Sequence, residues 1–138
     1  MASGIYNRFK YNVMKKLLDL SSDTLKVILL TTSHAFNADH NELTDINANE
    51  LAAAGNYATG GATLGSPTVT QDDANDCATF DGADVAWTGA TFTAYHAAIY
   101  ASTVSNNLIA SIDFGGAKAV SAGTFTIQWS ANGILKIS

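Results

Sequence analysis

Three histidines are the candidates for acid–base chemistry in this sequence, because an unperturbed histidine changes its charge near neutral pH. His34 and His40 lie six positions apart with two acids close by, Asp39 and Glu42. Imidazole and carboxylate groups can bind zinc, but the spacing matches no metal-binding motif such as HExxH. We therefore interpret this stretch as a solvated polar loop, with a metal site as the alternative. His96 lies in an apolar stretch and is interpreted as a hydrogen-bonded core or interface residue.

The densest group of cation ligands is the acidic stretch QDDAND at residues 71–76, which is followed by Asp81 and Asp84. Calcium binds carboxylate and amide oxygens at such close spacing. The order of ligands in an EF-hand loop is missing, however, and Asp and Asn are also common in turns. We interpret the stretch as turn chemistry and keep calcium as the alternative.

No residue has the sequence context of a catalytic nucleophile. No serine lies in a GxSxG-like motif. Cys77 has no basic neighbour that would activate its thiol, so we interpret it as a small core residue. Gly60 and Gly61 are not followed by the lysine of a phosphate-binding loop, and they predict instead a turn with positive φ. The sequence therefore predicts no catalytic, cofactor-binding or metal-binding residue, and we expect that the protein is not an enzyme.

The charge of the chain is low and unevenly distributed. Charged residues make up 14% of the 138 residues, against about 25% in a typical soluble domain. Residues 1–26 carry +3 (five basic, two acidic), whereas residues 27–138 carry −8 (two basic, ten acidic). The acidic body argues against nucleic-acid binding, and no apolar run approaches the roughly 20 residues of a membrane span. A single cysteine is typical of a chain made in a reducing cytoplasm.

The basic N-terminal segment has the pattern of an amphipathic helix. Its apolar residues recur at steps of four, four, four and three from Ile5 to Leu20, which places them on one helical face. We predict a helical segment at residues 1–22 and a β body at residues 23–138. The helix could pack on the body, dock on an acidic partner or lie on a membrane. Packing or docking is preferred, because membrane-binding helices usually have a denser basic face.

The body has the pattern of many short strands. Residues 24–32 (TLKVILLTT) carry large apolar side chains on both faces, which predicts a strand covered on both sides. Asp39 and Glu42 have the spacing of a capping box and predict a helical turn near residues 39–46. After Pro67 we predict the strands TVTQ, CATF, DVAWT, ATFTAYHAAIYA, LIASIDF, KAV, TFTIQWS and ILKI. This spacing predicts a mainly β fold, namely a two-sheet antiparallel sandwich, jelly-roll-like, behind an N-terminal amphipathic helix.

The last two predicted strands are expected to form a hairpin. A three-residue loop at residues 131–133, with Gly133 in the left-handed conformation, keeps the apolar residues of both strands on one face. A two-residue turn would mix apolar and polar side chains on each face. We therefore predict the three-residue loop, and a core face that consists of Phe125, Ile127, Trp129, Leu135 and Ile137.

From Leu25 to the end, a succession of short motifs resembles a group of small virion proteins of tailed bacteriophages. The motifs are strand and turn patterns. They are NEL with GNYATGGATL (residues 49–64), DAND (73–76), FD (80–81), AWT (86–88), YHAAIY (95–100), LI with DFG (108–115), and GTFTIQW with GI (123–134). Cys77 and the Ala-rich residues 51–54 depart from this pattern.

The resemblance implies a structural protein of the virion, and we expect a capsid decoration (cement) protein. Such a protein would be made in the cytoplasm of the host bacterium, form a homotrimer on the outer surface of the capsid and bind the major capsid protein. The resemblance brings no catalytic residue and no cofactor. Two alternatives stay open. One is a tail or head-fibre component. The other is a carbohydrate-binding module that uses Trp87, Trp129 or a tyrosine as its sugar platform and the acidic stretch for calcium.

Overall fold

Strands dominate the computed structural model, which describes residues 3–138. They take up 46% of the residues, and helices take up 10%. Within the described residues there are two antiparallel sheets and one α-helix, α1 (Asn7–Met14). The prediction of a mainly β chain with two antiparallel sheets is therefore confirmed.

The larger sheet is built around two long strands. In chain order the strands are β1 (Gly4–Ile5), β2 (Leu25–Leu30), β3 (Ala62–Thr63), β4 (Thr68–Asp72), β5 (Cys77–Asp81), β6 (Val85–Ala101), β7 (Asn107–Ile127) and β8 (Leu135–Ile137). The larger sheet has the order β1-β7-β6-β2-β3, and the smaller one has the order β4-β5-β8. Two 3-10 turns, Leu43–Asp45 and Asn47–Asn49, lie between β2 and β3.

Strand β2 lies at the centre of the core, as its sequence predicts. Leu25, Val27 and Leu29 pack into one hydrophobic cluster, and Ile28 and Leu30 pack into a second cluster on the opposite side of the sheet. All five side chains are completely buried. Burial of a side chain of this size contributes roughly 1.5–3 kcal/mol relative to exposure, so β2 is a main source of stability for both halves of the core.

Helix α1 is shorter than the predicted helix at residues 5–20. Lys16 adopts the left-handed conformation with φ of 58°. Its N–H donates to the carbonyl of Val13 (3.1 Å), and the N–H of Leu17 donates to the carbonyl of Asn12 (2.8 Å). This pair of bonds is a Schellman ending, which closes the helix before the apolar stripe is complete. Leu17 is consequently half-exposed rather than packed.

The N-terminal segment is nevertheless attached to the rest of the chain. Tyr6 and Phe9 are buried in the two hydrophobic clusters, and β1 pairs with β7 at Ala110 and Ser111. The domain boundary at residues 22 and 23 stays a prediction. No helix within residues 3–138 has the length and hydropathy that a membrane crossing requires.

The helical turn near residues 39–46 begins at a different residue from the one that we predicted. Glu42, not Asp39, precedes the first 3-10 turn. The carboxylate of Asp45 accepts hydrogen bonds from the backbone N–H of Asn41 (2.7 Å) and of Glu42 (3.1 Å). The predicted pairing of Asp39 with Glu42 is therefore wrong, because Asp45 provides the acceptor for the free N–H groups.

The five strands predicted between residues 84 and 130 are in fact two. DVAWT and ATFTAYHAAIYA belong to β6, whereas LIASIDF, KAV and TFTIQWS belong to β7 or follow directly from it. The two strands pair along their length through several bulges. The largest bulge lies where His96 pairs with Asp113 and Ala94 pairs with Lys118, so that residues 114–117 face one residue of β6. Glycine and serine in this region form bulges within a strand and do not end it.

The far half of the β6–β7 hairpin extends past the rest of the larger sheet. We call this part, residues 85–94 and 118–127, the outer ribbon. Strand β2 pairs with β6 only from His96 to Ala101, and β1 pairs with β7 only at two positions. Within residues 3–138 no third strand pairs with the outer ribbon.

The predicted C-terminal hairpin is wrong. Strand β8 pairs with β5, not with the end of β7. Strand β7 ends at Ile127, and the next segment turns toward β5, where the N–H of Ile134 donates to the carbonyl of Phe80 (2.7 Å). Gly133 has the predicted positive φ, at 95°. The apolar residues of β8 would face apolar residues in a pairing with either β5 or β7. The sequence pattern alone therefore could not distinguish the two pairings.

Candidate functional site

A groove of about 940 Å³ lies beside β7. Its walls come from β1, from β7 and from the segment that leads into β8. A groove of this size is within the range of binding sites for ligands or chain segments. Because segments that are distant in the chain meet here, no local sequence pattern indicates the groove.

The groove is mainly apolar, with cations as its charged groups. Phe114, Phe125 and Trp129 supply aromatic surface, and Lys10 and Lys118 are the two charged residues in its lining. Four members of the predicted hairpin face line the groove together, namely Phe125, Ile127, Trp129 and Leu135. The fifth, Ile137, is 59% exposed on the smaller sheet. The sequence pattern therefore correctly placed four of the five residues on one surface, but the C-terminal hairpin that it predicted for them does not form.

An aromatic cluster supports the groove from within the outer ribbon. The ring of Phe125 lies 5.1 Å from that of Phe92 and 6.1 Å from those of Trp87 and Phe114. The ring of Tyr57 completes the cluster, because it lies 6.2 Å from the ring of Trp87 and 6.1 Å from that of Phe92. Tilted and edge-on ring pairs at these distances stabilise by about 0.5–1.5 kcal/mol beyond area burial. The two-stranded ribbon is thereby held in one shape beside the groove.

A separate, polar site lies next to β7, where the side chains of His34 and His96 are close together. His34 is buried, which contradicts its assignment to a solvated loop. Its Nε2 lies 2.9 Å from the hydroxyl oxygen of Ser111, and its ring lies 5.2 Å from that of His96. Burial lowers the pKa of His34 to about 4, and the charges of His96 and His40 add to this effect. His34 is therefore neutral at pH 7.

His96 is a buried histidine with a polar partner, as its sequence context predicts. Its Nδ1 lies 3.7 Å from a carboxylate oxygen of Asp113. The backbone N–H of Gly115 holds the pKa of Asp113 below its usual range, and His96 contributes to the same shift. Ser111 and His34 resemble the nucleophile and base of a hydrolase, but Ser111 is only 2% exposed. A substrate would not reach that hydroxyl, and a base with a pKa of about 4 is weak at neutral pH.

Glu50 organises the loop that carries Gly60 and Gly61. Its Oε1 accepts hydrogen bonds from the hydroxyl of Tyr57 (2.7 Å) and from the N–H of Gly60 (2.6 Å). The Tyr57 oxygen in turn accepts the N–H of Leu29 at 3.1 Å. Both glycines have the predicted positive φ, at 92° and 75°. This network serves the fold, because its groups are directed at one another.

The acidic stretch forms turns, as predicted. Asp72 accepts the N–H groups of Ala74 and Asn75, each at 3.2 Å. Asp81 accepts the N–H of Gly82, and Asp84 accepts the N–H of Trp129. Within residues 3–138 no group of three or more His, Cys, Asp or Glu side chains is placed to hold a metal ion. Cys77 is half-buried at the end of β5 rather than in the core.

Exposed apolar side chains concentrate in two places. Tyr11, Met14 and Leu17 are 50%, 88% and 51% exposed, and together with Lys15 and Lys16 they form what we call the basic patch. Val69 and Ile137 are 51% and 59% exposed on the smaller sheet. These two residues lie on the outer strands β4 and β8, with β5 between them, and they line a small apolar pocket together with Phe9 and Leu20. The amphipathic pattern of the N-terminal segment did not indicate that Tyr11, Met14 and Leu17 would be exposed.

No family model, no curated protein and no solved structure matches this chain.

Proposed function

We propose that the protein is a structural protein of a tailed-phage virion, of the capsid decoration (cement) type. In this proposal it associates with itself as a homotrimer and binds the major capsid protein on the outer surface of the shell. The finer arrangement of its two sheets as a jelly-roll-like sandwich is part of the same proposal. The resemblance of its strand and turn motifs to small phage virion proteins supports this class.

The groove beside β7 is the observation that carries the proposal. Beyond the two positions that pair with β1, the outer edge of β7 has no strand partner within residues 3–138. An extended segment of another protein can add to such an edge as a strand and place alternate side chains in an adjoining groove. Aromatic walls with Lys10 and Lys118 beside them suit an apolar segment that carries a carboxylate. We therefore assign the groove to a segment of the capsid protein.

The low charge of the outer ribbon supports the same role. Its exposed residues are mostly small and uncharged, for example Ala86, Thr88, Thr93, Ala119, Ser121, Thr124 and Thr126. Charges on an exposed surface help to prevent association with other proteins. A surface that is covered in the assembled state therefore needs few of them. The outer ribbon is therefore suited to lie against another protein surface.

The proposal is tested by adding purified protein to capsids that lack it. We expect the protein to sediment with the capsids, and a cryo-electron microscopy reconstruction to place it on the outer shell. Lys118→Glu should reduce the bound amount several-fold, because it reverses a charge in the groove. Lys136→Glu makes the same change in charge on the smaller sheet and should leave binding unchanged. Absence of the wild-type protein from the capsid pellet would contradict the proposal, and density on the tail would favour a tail or fibre component.

The carbohydrate-binding alternative is less well supported by the two tryptophans. A sugar platform needs an exposed aromatic face, whereas Trp87 is 7% exposed. Trp129 is half-buried, and its indole N–H donates to the carbonyl of Ala83 at 2.9 Å. A glycan array in the presence of calcium tests this alternative, and we expect no binding.

A further inference from the structure

We infer that residues 34–39, in the loop that follows β2, form an acid-sensitive clasp that holds the N-terminal segment (residues 3–14) on β7. Protonation of His34 opens the clasp and releases β1 and α1, while the rest of the larger sheet stays folded. The release is a property of the chain alone. Its effect on binding in the groove, to which β1 contributes a wall, rests on the proposed function.

The clasp contacts the N-terminal segment at three consecutive parts of that segment. The ring of Phe36 lies over Gly4, so that a Cβ at this glycine would overlap it. The same ring lies 5.1 Å from the ring of Tyr6. The carbonyl of Ala38 accepts the N–H of Asn7 (2.9 Å). The segment is therefore held between the clasp and β7.

His34 fixes the clasp to β7 at the residue that also holds β1. Its Nε2 lies 2.9 Å from the hydroxyl oxygen of Ser111, and Ser111 pairs with Gly4 in the sheet. The buried hydroxyl of Tyr6 lies beside the same serine. One residue of β7 thus contacts both the clasp and the N-terminal segment.

A proton on His34 destabilises the closed clasp. The side chain is buried, and burial lowers its pKa to about 4, with a further contribution from the charges of His96 and His40. When the clasp opens, the imidazole is hydrated and its pKa returns toward about 6.5. The open form therefore binds a proton more tightly than the closed form, and acid favours opening.

The other titratable groups around His34 do not oppose this effect at pH 4.5. On β7, a carboxylate oxygen of Asp113 lies 3.7 Å from Nδ1 of His96. A backbone N–H holds the pKa of Asp113 below its usual range, so Asp113 stays ionised beside His96. On the N-terminal segment, Tyr6 is neutral because burial raises its pKa to about 12. Within the clasp, the carboxylate of Asp39 accepts a side-chain amide of the N-terminal segment (2.9 Å).

The N-terminal segment has few connections to the rest of the larger sheet. Strand β1 is an edge strand that pairs at two positions, whereas β2 pairs with β6 at six. Its other anchors are the buried ring of Phe9 and the hydrogen bond from Asn12 to the side chain of Asn107 (2.9 Å), and none of these groups titrates. A helix of eight residues is not stable alone in water, so α1 unfolds on release. Such a local opening requires less free energy than global unfolding.

Release of the segment changes the groove. Ser3, Gly4 and Ile5 are part of the groove lining, and β1 covers the edge of β7 at Ala110 and Ser111. The closed clasp therefore keeps the groove complete at neutral pH, and acid removes one of its walls. The clasp thereby makes binding in the groove depend on pH.

Native-state hydrogen exchange of the full chain tests the release. The N–H of Tyr6 donates to the carbonyl of Ile109 (3.1 Å), so its exchange reports on the contact with β7, and the amides of β2 report on global unfolding. After correction for intrinsic exchange, we expect exchange at Tyr6 to become roughly 70-fold faster from pH 7.5 to pH 4.5, as the two pKa values of His34 require. It should stay faster than exchange in β2 and respond little to low urea concentrations, because a local opening exposes little surface.

Three variants assign the release to the clasp. His34→Gln keeps a polar group for Ser111 but cannot be protonated, so the acceleration at Tyr6 should fall below about threefold. His40→Gln is the matched control, because it removes the other histidine beside the clasp and should keep most of the acceleration. Phe36→Leu weakens the clasp without a change in charge. It should make exchange at Tyr6 several-fold faster already at pH 7.5.

Two results would overturn the inference. One is exchange at Tyr6 with the same rate and urea dependence as in β2, since the segment would then leave only on global unfolding. The other is an acceleration in acid that persists in His34→Gln. Capsid binding at pH 7.5 is a separate measurement: its absence would contradict the proposed function, while the release is decided by exchange in the free chain.

Discussion

His34 makes the stability of the protein depend on pH. Its imidazole is buried and its pKa is lowered to about 4, whereas a histidine in an unfolded chain has a pKa of about 6.5. Between these two values the unfolded chain binds a proton that the folded chain does not. The contribution of His34 is therefore fully present above pH 6.5, decreases as the pH falls, and is lost below about pH 4.

We expect this contribution to reach about 3 kcal/mol. His34→Gln cannot titrate but retains a polar group for Ser111, so its free energy of unfolding should vary less between pH 7.5 and pH 4.5. Urea unfolding of the wild type and the variant at several pH values measures the difference. His40→Gln is the control for a half-buried histidine. Equal pH dependence of the wild type and His34→Gln would contradict the prediction.

Tyr57 is expected to contribute through its hydroxyl as well as its ring. The hydroxyl donates to the carboxylate of Glu50 and accepts the backbone N–H of Leu29. Tyr57→Phe leaves the N–H of Leu29 without its acceptor and removes one of the two donors to Glu50, which should lower the free energy of unfolding by about 1–3 kcal/mol. Tyr11→Phe makes the same change on a half-exposed ring and should have almost no effect. Chemical denaturation compares the two, and a similar result for both would show that the buried network is not needed.

At the scale of the elements, Gly61 and Gly115 have similar φ values but should differ sharply in how much a substitution by alanine destabilises the fold. A Cβ at Gly61 would lie 1.9 Å from the carbonyl oxygen of Val27, whereas a Cβ at Gly115 would meet no atom within 4 Å. Their φ values are 75° and 77°. We expect Gly115→Ala to cost about 1 kcal/mol and Gly61→Ala more than about 3 kcal/mol. Thermal unfolding measures both, and equal losses would mean that backbone strain rather than contact with β2 dominates.

The end of α1 gives a second comparison between neighbouring residues. Lys16 is left-handed, with φ of 58°, whereas Lys15 has φ of −89°. Lys16→Gly should raise the free energy of unfolding by about 0.5–1 kcal/mol, because glycine adopts this conformation without strain. Lys15→Gly removes the same charge and should lower it by about 0.5 kcal/mol. Chemical denaturation of both variants tests the assignment, which fails if Lys16→Gly is the less stable one.

The elements that the sequence predicted well are those fixed by local patterns. Strand β2 has large apolar residues on both faces, and burial on both sides follows directly from that pattern. The positive φ values of Gly60, Gly61 and Gly133 follow from the freedom of glycine. These features require no knowledge of distant parts of the chain.

The elements that it predicted wrongly depend on distant partners. Strand β8 could have paired with β7 or β5, and only the completed fold selects β5. The stretch at residues 114–117 has the glycines of a turn, but pairing on both sides keeps it within one strand as a bulge. The groove escaped prediction for the same reason, since Ile5 and Ile134 come from opposite ends of the chain. His34 was assigned to a loop in solvent because its partner Ser111 is 77 residues away.

At the scale of the whole molecule, binding of a capsid segment in the groove should depend only weakly on salt. At 0.1 M salt, interactions between exposed charges more than about 10 Å apart are largely screened, whereas the walls of the groove are mainly apolar. The amount of protein bound to capsids should therefore change little when the salt concentration rises from 50 to 500 mM. Sedimentation with capsids at several salt concentrations tests this, and binding that is lost at high salt would indicate a contact made mainly by charges.

The position of Trp129 gives the protein a built-in optical probe. Of the two tryptophans in the chain, Trp87 is buried in the aromatic cluster, whereas Trp129 is half-buried in the wall of the groove. A soluble quencher such as acrylamide should reach the indole of Trp129 first. A segment that fills the groove would shield this ring and shift its emission to shorter wavelength. Fluorescence of the unlabelled chain can thus follow occupation of the groove in real time, with Trp129→Phe as the silent reference.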